Sequence, residues 1–163
     1  MQPEDSKYQS ENFRWGVIAL ISFGALASIV CTYLLYLHFQ PGASSFCNIS
    51  STLNCDTVNK SEYSVLFGIP VALLGLGYYI AIIGLGTLLS SEKNRQRFDI
   101  HDLLNGFTLI TVIGTLFTLY LTYQEAYTIK AYCILCLAQQ FLILCILYTL
   151  IRLRKLTASA RDR

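Results

Sequence analysis

Charged residues are scarce in this sequence. Asp, Glu, Lys and Arg make up 13% of the 163 residues, whereas about a quarter of a soluble domain is charged. Hydrophobic residues reach 54%, and the mean hydropathy is +0.50. Internal repeats and low-complexity segments are absent, and the chain is too short for a separate soluble catalytic domain. We therefore expect one membrane domain, solvated mostly by lipid, with no nucleic-acid partner.

Four apolar stretches are long enough to cross the roughly 30 Å of hydrocarbon in a bilayer. They run from about Trp15 to Phe39, Leu66 to Leu89, Leu103 to Tyr123, and Tyr132 to Leu153. The sequence thus predicts an all-α integral membrane protein, a bundle of four transmembrane helices. Its long polar loop covers residues 40–65, between the first two spans.

Basic residues are distributed unevenly among the segments that connect the spans. Four spans place both termini and the second loop on one side, and these segments hold 10 of the 12 Lys and Arg residues. Lys60 and Lys130 are on the other side. The ten are Lys7, Arg14, Lys93, Arg95, Arg97, Arg152, Arg154, Lys155, Arg161 and Arg163. By the positive-inside rule both termini are cytoplasmic, and the first loop and the turn before the fourth span are outside.

A cleaved signal peptide is the alternative interpretation of the first span, with a processing site at residues 43–45. The apolar run is too long for a signal peptide, and the preceding segment contains Glu4, Asp5 and Glu11, which suit one poorly. We expect no cleavage.

The sharpest motif is Cys133-Ile-Leu-Cys136, at the start of the fourth span. Cysteines three residues apart on a helix place both sulfurs on one face, within reach of a disulfide. The helix N-terminus lowers the pKa of the first thiol. The alternative is a pair of buried small hydrophobic residues, but the spacing and the position outside the cytoplasm favour a redox pair.

Cys47 and Cys55 form a second pair, in the first loop, around a segment of residues that turn easily. Alone, they would indicate a structural disulfide. With another pair on the same face of the membrane, thiol–disulfide exchange is the better account. Zinc bound by four thiolates is a further alternative, but chelation would block the thiols, and we expect no metal. Cys31 and Cys145 lie inside spans and are predicted to be packing residues.

The stretch from Ser61 to Pro70 returns the loop to the bilayer and opens the second span. Residues from Asp56 to Tyr63 are predicted to form a short amphipathic helix, with Val58 and Tyr63 on its membrane face. Pro70 suits the first turn of the second span, where its missing N–H costs little. The helix would hold Cys55 near the mouth of the bundle.

Together these features resemble bacterial members of the vitamin K epoxide reductase family that lack a fused thioredoxin-like domain. The resemblance covers nearly the whole chain and rests on Cys47 and Cys55, Ser61-x-Tyr63, Phe67-Gly68-x-Pro70 and Cys133-x-x-Cys136. It implies a four-helix bundle around a quinone, capped on its outer face by the first loop and its short helix. It also implies a multi-pass protein of the bacterial cytoplasmic membrane.

The resemblance further implies a role for each cysteine. A separate periplasmic thioredoxin-like thiol oxidase would pass electrons to Cys47, which faces that partner. Cys55 would attack the membrane pair, Cys133 would be the resolving cysteine, and Cys136 would lie beside the quinone, ubiquinone or menaquinone.

Four further residues are implied to contact the quinone. Ser61, Ser64 and Phe67 fall where family members line or cap the quinone pocket. Gln140 occupies the position of a tyrosine in vertebrate members, and its amide can still donate a hydrogen bond. Ser64 stands where vertebrate enzymes have an asparagine.

The sequence thus predicts a thiol:quinone oxidoreductase that supports disulfide formation in exported proteins. A thiol-driven vitamin K quinone or epoxide reductase is the enzymatic alternative, and Gln140 argues against epoxide reduction. A non-catalytic membrane protein with two structural disulfides is the alternative of a different class.

Overall fold

Four long helices form the molecule. The computed structural model describes residues 3–40, 45–50, 52–93 and 99–161, with side chains described from residue 10 to residue 159 of these ranges. The long helices are α1 (Pro3–Phe39), α3 (Val71–Ser90), α4 (Ile100–Gln124) and α5 (Ile134–Arg161). Each is long and apolar enough to cross a membrane. The predicted all-α membrane bundle is confirmed. Part of the processing site considered above lies outside the described residues, namely residues 43 and 44. The same holds for three of the basic residues, Arg95, Arg97 and Arg163.

Helix α1 lies at the centre of the packing, because it contacts both α3 and α5, while α4 packs on α5. Fully buried leucine and isoleucine side chains fill the interior: Leu20, Ile82, Leu104, Ile146 and Leu150. Other large apolar side chains, among them Ile29, Leu109 and Phe141, are exposed on the outside of the bundle. Such a surface suits lipid rather than water.

The first loop covers one end of the bundle with a series of short elements. Helix α2 (Cys55–Asn59) is preceded by the N-cap residue Asn54, whose side chain accepts the Thr57 N–H at 3.0 Å. A 3₁₀ turn (Glu62–Ser64) follows. Helix α2 contacts α1 and α5, so it holds the loop over the bundle, as the predicted cap requires.

A small hairpin takes the place of the predicted start of the second span. Strands β1 (Val65–Leu66) and β2 (Ile69–Pro70) pair antiparallel. Phe67 and Gly68 between them both have positive φ, 52° and 82°, the backbone of a two-residue hairpin turn. The span therefore begins at Val71 rather than at Leu66, and Pro70 is the N-cap residue.

The end of α4 widens into a π-helical turn, Glu125–Ile129. Lys130 then adopts a left-handed conformation with φ 56°, and the Ala131 N–H donates to the Glu125 carbonyl at 3.2 Å. This tight reversal leads directly into Cys133 and α5. Single π turns inside α-helices are frequent at functional sites.

Candidate functional site

Backbone hydrogen bonds join the first loop to the residue just before the C-x-x-C motif. The Tyr132 N–H donates to the Thr52 carbonyl at 2.7 Å, and the Asn54 N–H donates to the Tyr132 carbonyl at 3.1 Å. The next residues along the two segments are Cys55 and Cys133, both 0% exposed and packed in one apolar cluster. The structure thus brings the two predicted pairs together.

The loop pair is closed and firmly held. Cys47 and Cys55 form a disulfide with a Cα–Cα distance of 5.8 Å. The Asp56 carboxylate accepts the Asn48 side-chain amide at 2.7 Å and the Ser45 N–H at 3.2 and 3.3 Å. The Ser45 hydroxyl lies 2.8 Å from the Cys47 sulfur. Cys47 is only 1% exposed and packs in the same apolar cluster as Cys55 and Cys133, so the predicted partner-facing cysteine is covered in this structure.

The C-x-x-C pair opens α5 as two free thiols. The Cys136 N–H donates to the Cys133 sulfur at 3.3 Å. The pKa of the Cys133 thiol is lowered, chiefly by its hydrogen bond with the Cys136 side chain, with help from the N–H groups of Cys136 and Leu135, against burial and the nearby Glu125. A helix start favours a thiolate in this way, since unpaired N–H groups face the sulfur. Cys136 is less buried than Cys133.

A cavity of about 130 Å³ lies beside Cys136, bounded by α1, α3, α4, α5 and the loop cap. Apolar side chains such as Leu34, Val71 and Leu121 form much of its wall. Its polar lining side chains are Asn59, Ser61, Tyr63, Ser64, Tyr79, Thr118, Thr122, Glu125 and Gln139. An apolar protein cavity of about 150 Å³ accommodates benzene, so this one suits a single six-membered ring.

The predicted quinone contacts divide into two groups. Ser61 and Ser64 line the cavity, and each hydroxyl donates to a backbone carbonyl at 2.7 Å. Phe67 is 97% exposed at the tip of the hairpin, away from the cavity lining. Gln140 is also absent from the lining, and its side-chain amide is buried without a hydrogen-bond partner. The contact of these side chains with a quinone remains a prediction.

Gln139, which the sequence reasoning passed over, lines the cavity instead of its neighbour. Its amide nitrogen donates to the Ala27 carbonyl at 2.9 Å and to the Cys31 sulfur at 3.1 Å. Its carbonyl oxygen is buried without a partner. An unpaired acceptor that borders a mostly apolar cavity suits a ligand that carries a hydroxyl group, as a quinol does. Cys31, predicted only to pack, also borders this cavity.

Glu125 is the second residue that the sequence reasoning missed. Its carboxylate accepts the Cys133 N–H at 3.0 Å and interacts electrostatically with the Cys136 side chain, and the residue is 2% exposed. A signal was present, because Glu125 is the only charged residue between Asp102 and Lys130. An ionisable residue within a membrane segment indicates a functional site. Within the described ranges, no group of three or more His, Cys, Asp or Glu side chains is arranged to hold a metal.

Comparison with known protein families gives one match. Residues 15–151 match the sequence model of the vitamin K epoxide reductase family. The match includes both cysteine pairs, Glu125 and every residue that lines the cavity.

Proposed function

Because this chain belongs to the vitamin K epoxide reductase family, we propose that it is a thiol:quinone oxidoreductase. It relays electrons from a periplasmic thioredoxin-like protein, through its two cysteine pairs, to a membrane quinone, and so supports disulfide formation in exported proteins. The observation that carries this proposal is the pairing of Thr52 and Asn54 with Tyr132, which holds Cys55 beside Cys133.

The relay consists of successive thiol–disulfide exchanges. The dithiol partner reduces Cys47–Cys55. The Cys55 thiolate then attacks the Cys133 sulfur of an oxidised Cys133–Cys136 pair, which releases the Cys136 thiolate. Cys47 displaces Cys133 from the mixed disulfide. The Cys47–Cys55 disulfide forms again, and Cys133 and Cys136 are left in the reduced form. Since Cys47 is buried in the closed loop, the partner reaches it when the segment around Ser45 opens.

The cavity beside Cys136 has room for one six-membered ring of the head group of ubiquinone or menaquinone. Its walls are mostly apolar, and the Gln139 carbonyl oxygen offers an unused acceptor for a hydroxyl group of the quinol product. Ser61 and Ser64 line it on the side of the loop cap. A quinone bound there supplies the acceptor for two electrons and two protons. Cys136 is the redox-pair cysteine that borders this space, so it is the one that hands over the electrons.

Charge distribution supports a periplasmic site in a bacterial cytoplasmic membrane. Lys60 and Lys130 are the basic residues that follow α2 and the π turn, at the end of the bundle that carries both cysteine pairs. Arg152, Arg154 and Lys155 lie toward the opposite end of α5. By the positive-inside rule the termini are cytoplasmic.

Purified protein in lipid nanodiscs provides the test. With a dithiol as reductant, we expect the protein to reduce a short-chain ubiquinone, and C133S and C136S each to abolish turnover. The matched control is C145S, which we expect to keep the activity. Cys145 is a half-buried cysteine of α5 that does not line the cavity. Wild-type turnover by both C133S and C136S would refute the proposal.

A further inference from the structure

Glu125 lies between the C-x-x-C pair and the cavity. Its carboxylate accepts the Cys133 N–H, interacts electrostatically with the Cys136 side chain and lines the cavity that Cys136 borders. No ion pair joins it to a cation within the described part of the chain. Burial of a carboxyl group without a counter-ion is costly in a membrane segment, so its presence here requires a compensating role.

The backbone is shaped to place this side chain. The π turn begins at Glu125, and the reversal through Lys130 returns the chain so that the Ala131 N–H bonds the Glu125 carbonyl. The same reversal brings the Cys133 N–H within 3.0 Å of the Glu125 carboxylate. Two hydrogen bonds therefore hold Glu125 against the redox pair, one to its main-chain carbonyl from Ala131 and one to its carboxylate from Cys133.

Most other polar hydrogens in the cavity wall are committed to backbone carbonyl groups. These belong to the hydroxyl groups of Ser61, Ser64, Thr118 and Thr122 and the amide groups of Asn59 and Gln139. The titratable groups of the wall are Cys31, Tyr63, Tyr79, Glu125 and Cys136. Glu125 is the one carboxyl group in that set, and its carboxylate accepts a hydrogen bond from the C-x-x-C motif, through the Cys133 N–H.

We propose, building on the function proposed above, that Glu125 is a catalytic acid–base that moves a proton between the Cys136 thiol and the quinone oxygen. Oxidation of the dithiol breaks two S–H bonds and forms one S–S bond. Two electrons and two protons pass to the quinone, which becomes a quinol. The Glu125 carboxylate takes the proton of the Cys136 thiol and delivers it to one quinone oxygen, so it ends the cycle ionised, as it began. The proton of the Cys133 thiol leaves to water as its thiolate forms, and one proton from water completes the second hydroxyl group of the quinol.

Three variants separate this role from a structural one. E125Q keeps an oxygen that accepts the Cys133 N–H but cannot exchange a proton. E125D keeps the acid on a shorter side chain. E62Q is the matched control, because Glu62 is an exposed acid on the same loop cap. Each is assayed in nanodiscs with dithiothreitol and a short-chain ubiquinone across a range of pH.

We expect E125Q to lower the rate at saturating quinone by about 100-fold or more, the usual size of a lost acid–base contribution. E125D should recover part of the rate with a shifted pH profile, and E62Q should match the wild type. If Glu125 only positions Cys133, E125Q retains most of the rate and E125D loses more; that order of activities would overturn the proposal.

A second readout requires no quinone. Without a quinone to receive it, the Cys136 proton stays on Glu125 when another oxidant closes the disulfide. Infrared difference spectra between the dithiol and disulfide forms of the wild type should therefore contain a carboxyl band that E125Q lacks and E62Q retains. Identical spectra for wild type and E125Q would refute the inference. If the wild type fails to reduce quinone, the proposed function fails, while the infrared comparison still decides whether Glu125 exchanges a proton with the cysteine pair.

Discussion

The Asp56 carboxylate is predicted to control access to the loop disulfide. It accepts one short hydrogen bond from Asn48, at 2.7 Å, and shares the Ser45 N–H between its two oxygens at 3.2 and 3.3 Å. Ser45 in turn contacts the Cys47 sulfur. Removal of the carboxylate therefore releases the segment that covers Cys47.

The size of the expected increase in the open-loop population follows from the hydrogen bonds that D56A removes. A hydrogen bond to a charged group contributes about 1.5–3 kcal/mol, and the Asn48 contact is the strong one of the set. We take about 2 kcal/mol for D56A, which corresponds to a roughly 30-fold larger population of the open loop, since about 1.4 kcal/mol is tenfold. D56N retains one acceptor oxygen and should show a smaller increase.

The assay measures how fast a bulky, water-soluble reductant opens the loop disulfide, followed by alkylation of the released thiols and mass spectrometry. When opening and closing are fast, the rate tracks the population of the open form. D56A should react about 30-fold faster than the wild type, whereas E62A, an exposed acid of the same cap, should not change. Equal rates for D56A and wild type would show that this network does not cover Cys47.

Two further predictions concern the cavity and the membrane-side pair. Q139L removes the unpaired acceptor, which can bond the hydroxyl group of the quinol but not the carbonyl of the quinone. We therefore expect the inhibition constant of the quinol product to rise about tenfold, the effect of one lost hydrogen bond of about 1.4 kcal/mol, with exchange between the cysteine pairs unchanged; an unaltered inhibition constant would exclude this contact. The lowered pKa of Cys133 means that its thiolate persists to a lower pH than in a free cysteine. Because the largest cause is the Cys136 side chain, C136A should move the pH midpoint of Cys133 alkylation upward, as read from the labelled peptide, and a downward shift would contradict the assignment.

Much of the fold follows from hydropathy and basic residues, because helix length and charge asymmetry are properties of local sequence. The hairpin at residues 65–70 does not. Val65, Leu66, Ile69 and Pro70 extend an apolar run, and hydropathy alone does not distinguish a short apolar hairpin from the first turn of a helix. The positive φ values of Phe67 and Gly68 decide the difference.

The proximity of the two cysteine pairs was predictable, because spacing and topology place them at one end of the bundle, and their roles in a relay stay a prediction. Its polar residues depend on helix rotation and on one irregular turn. Gln139 and Gln140 point about 100° apart around α5, and only the packing of that helix decides which one reaches the cavity. Glu125 reaches Cys133 through the π turn and the left-handed Lys130, neither of which has a sequence signature strong enough to predict.

The account depends on the claim that the Cys55 and Cys133 sulfurs come close enough to form a disulfide. The double variant C47S/C136S leaves these two as the only cysteines of the proposed relay and should trap the mixed disulfide between them. We expect mass spectrometry of the oxidised, digested protein to find the Cys55–Cys133 linked peptide in most molecules. Recovery of Cys55 and Cys133 as separately alkylated thiols under the same oxidation would contradict the relay.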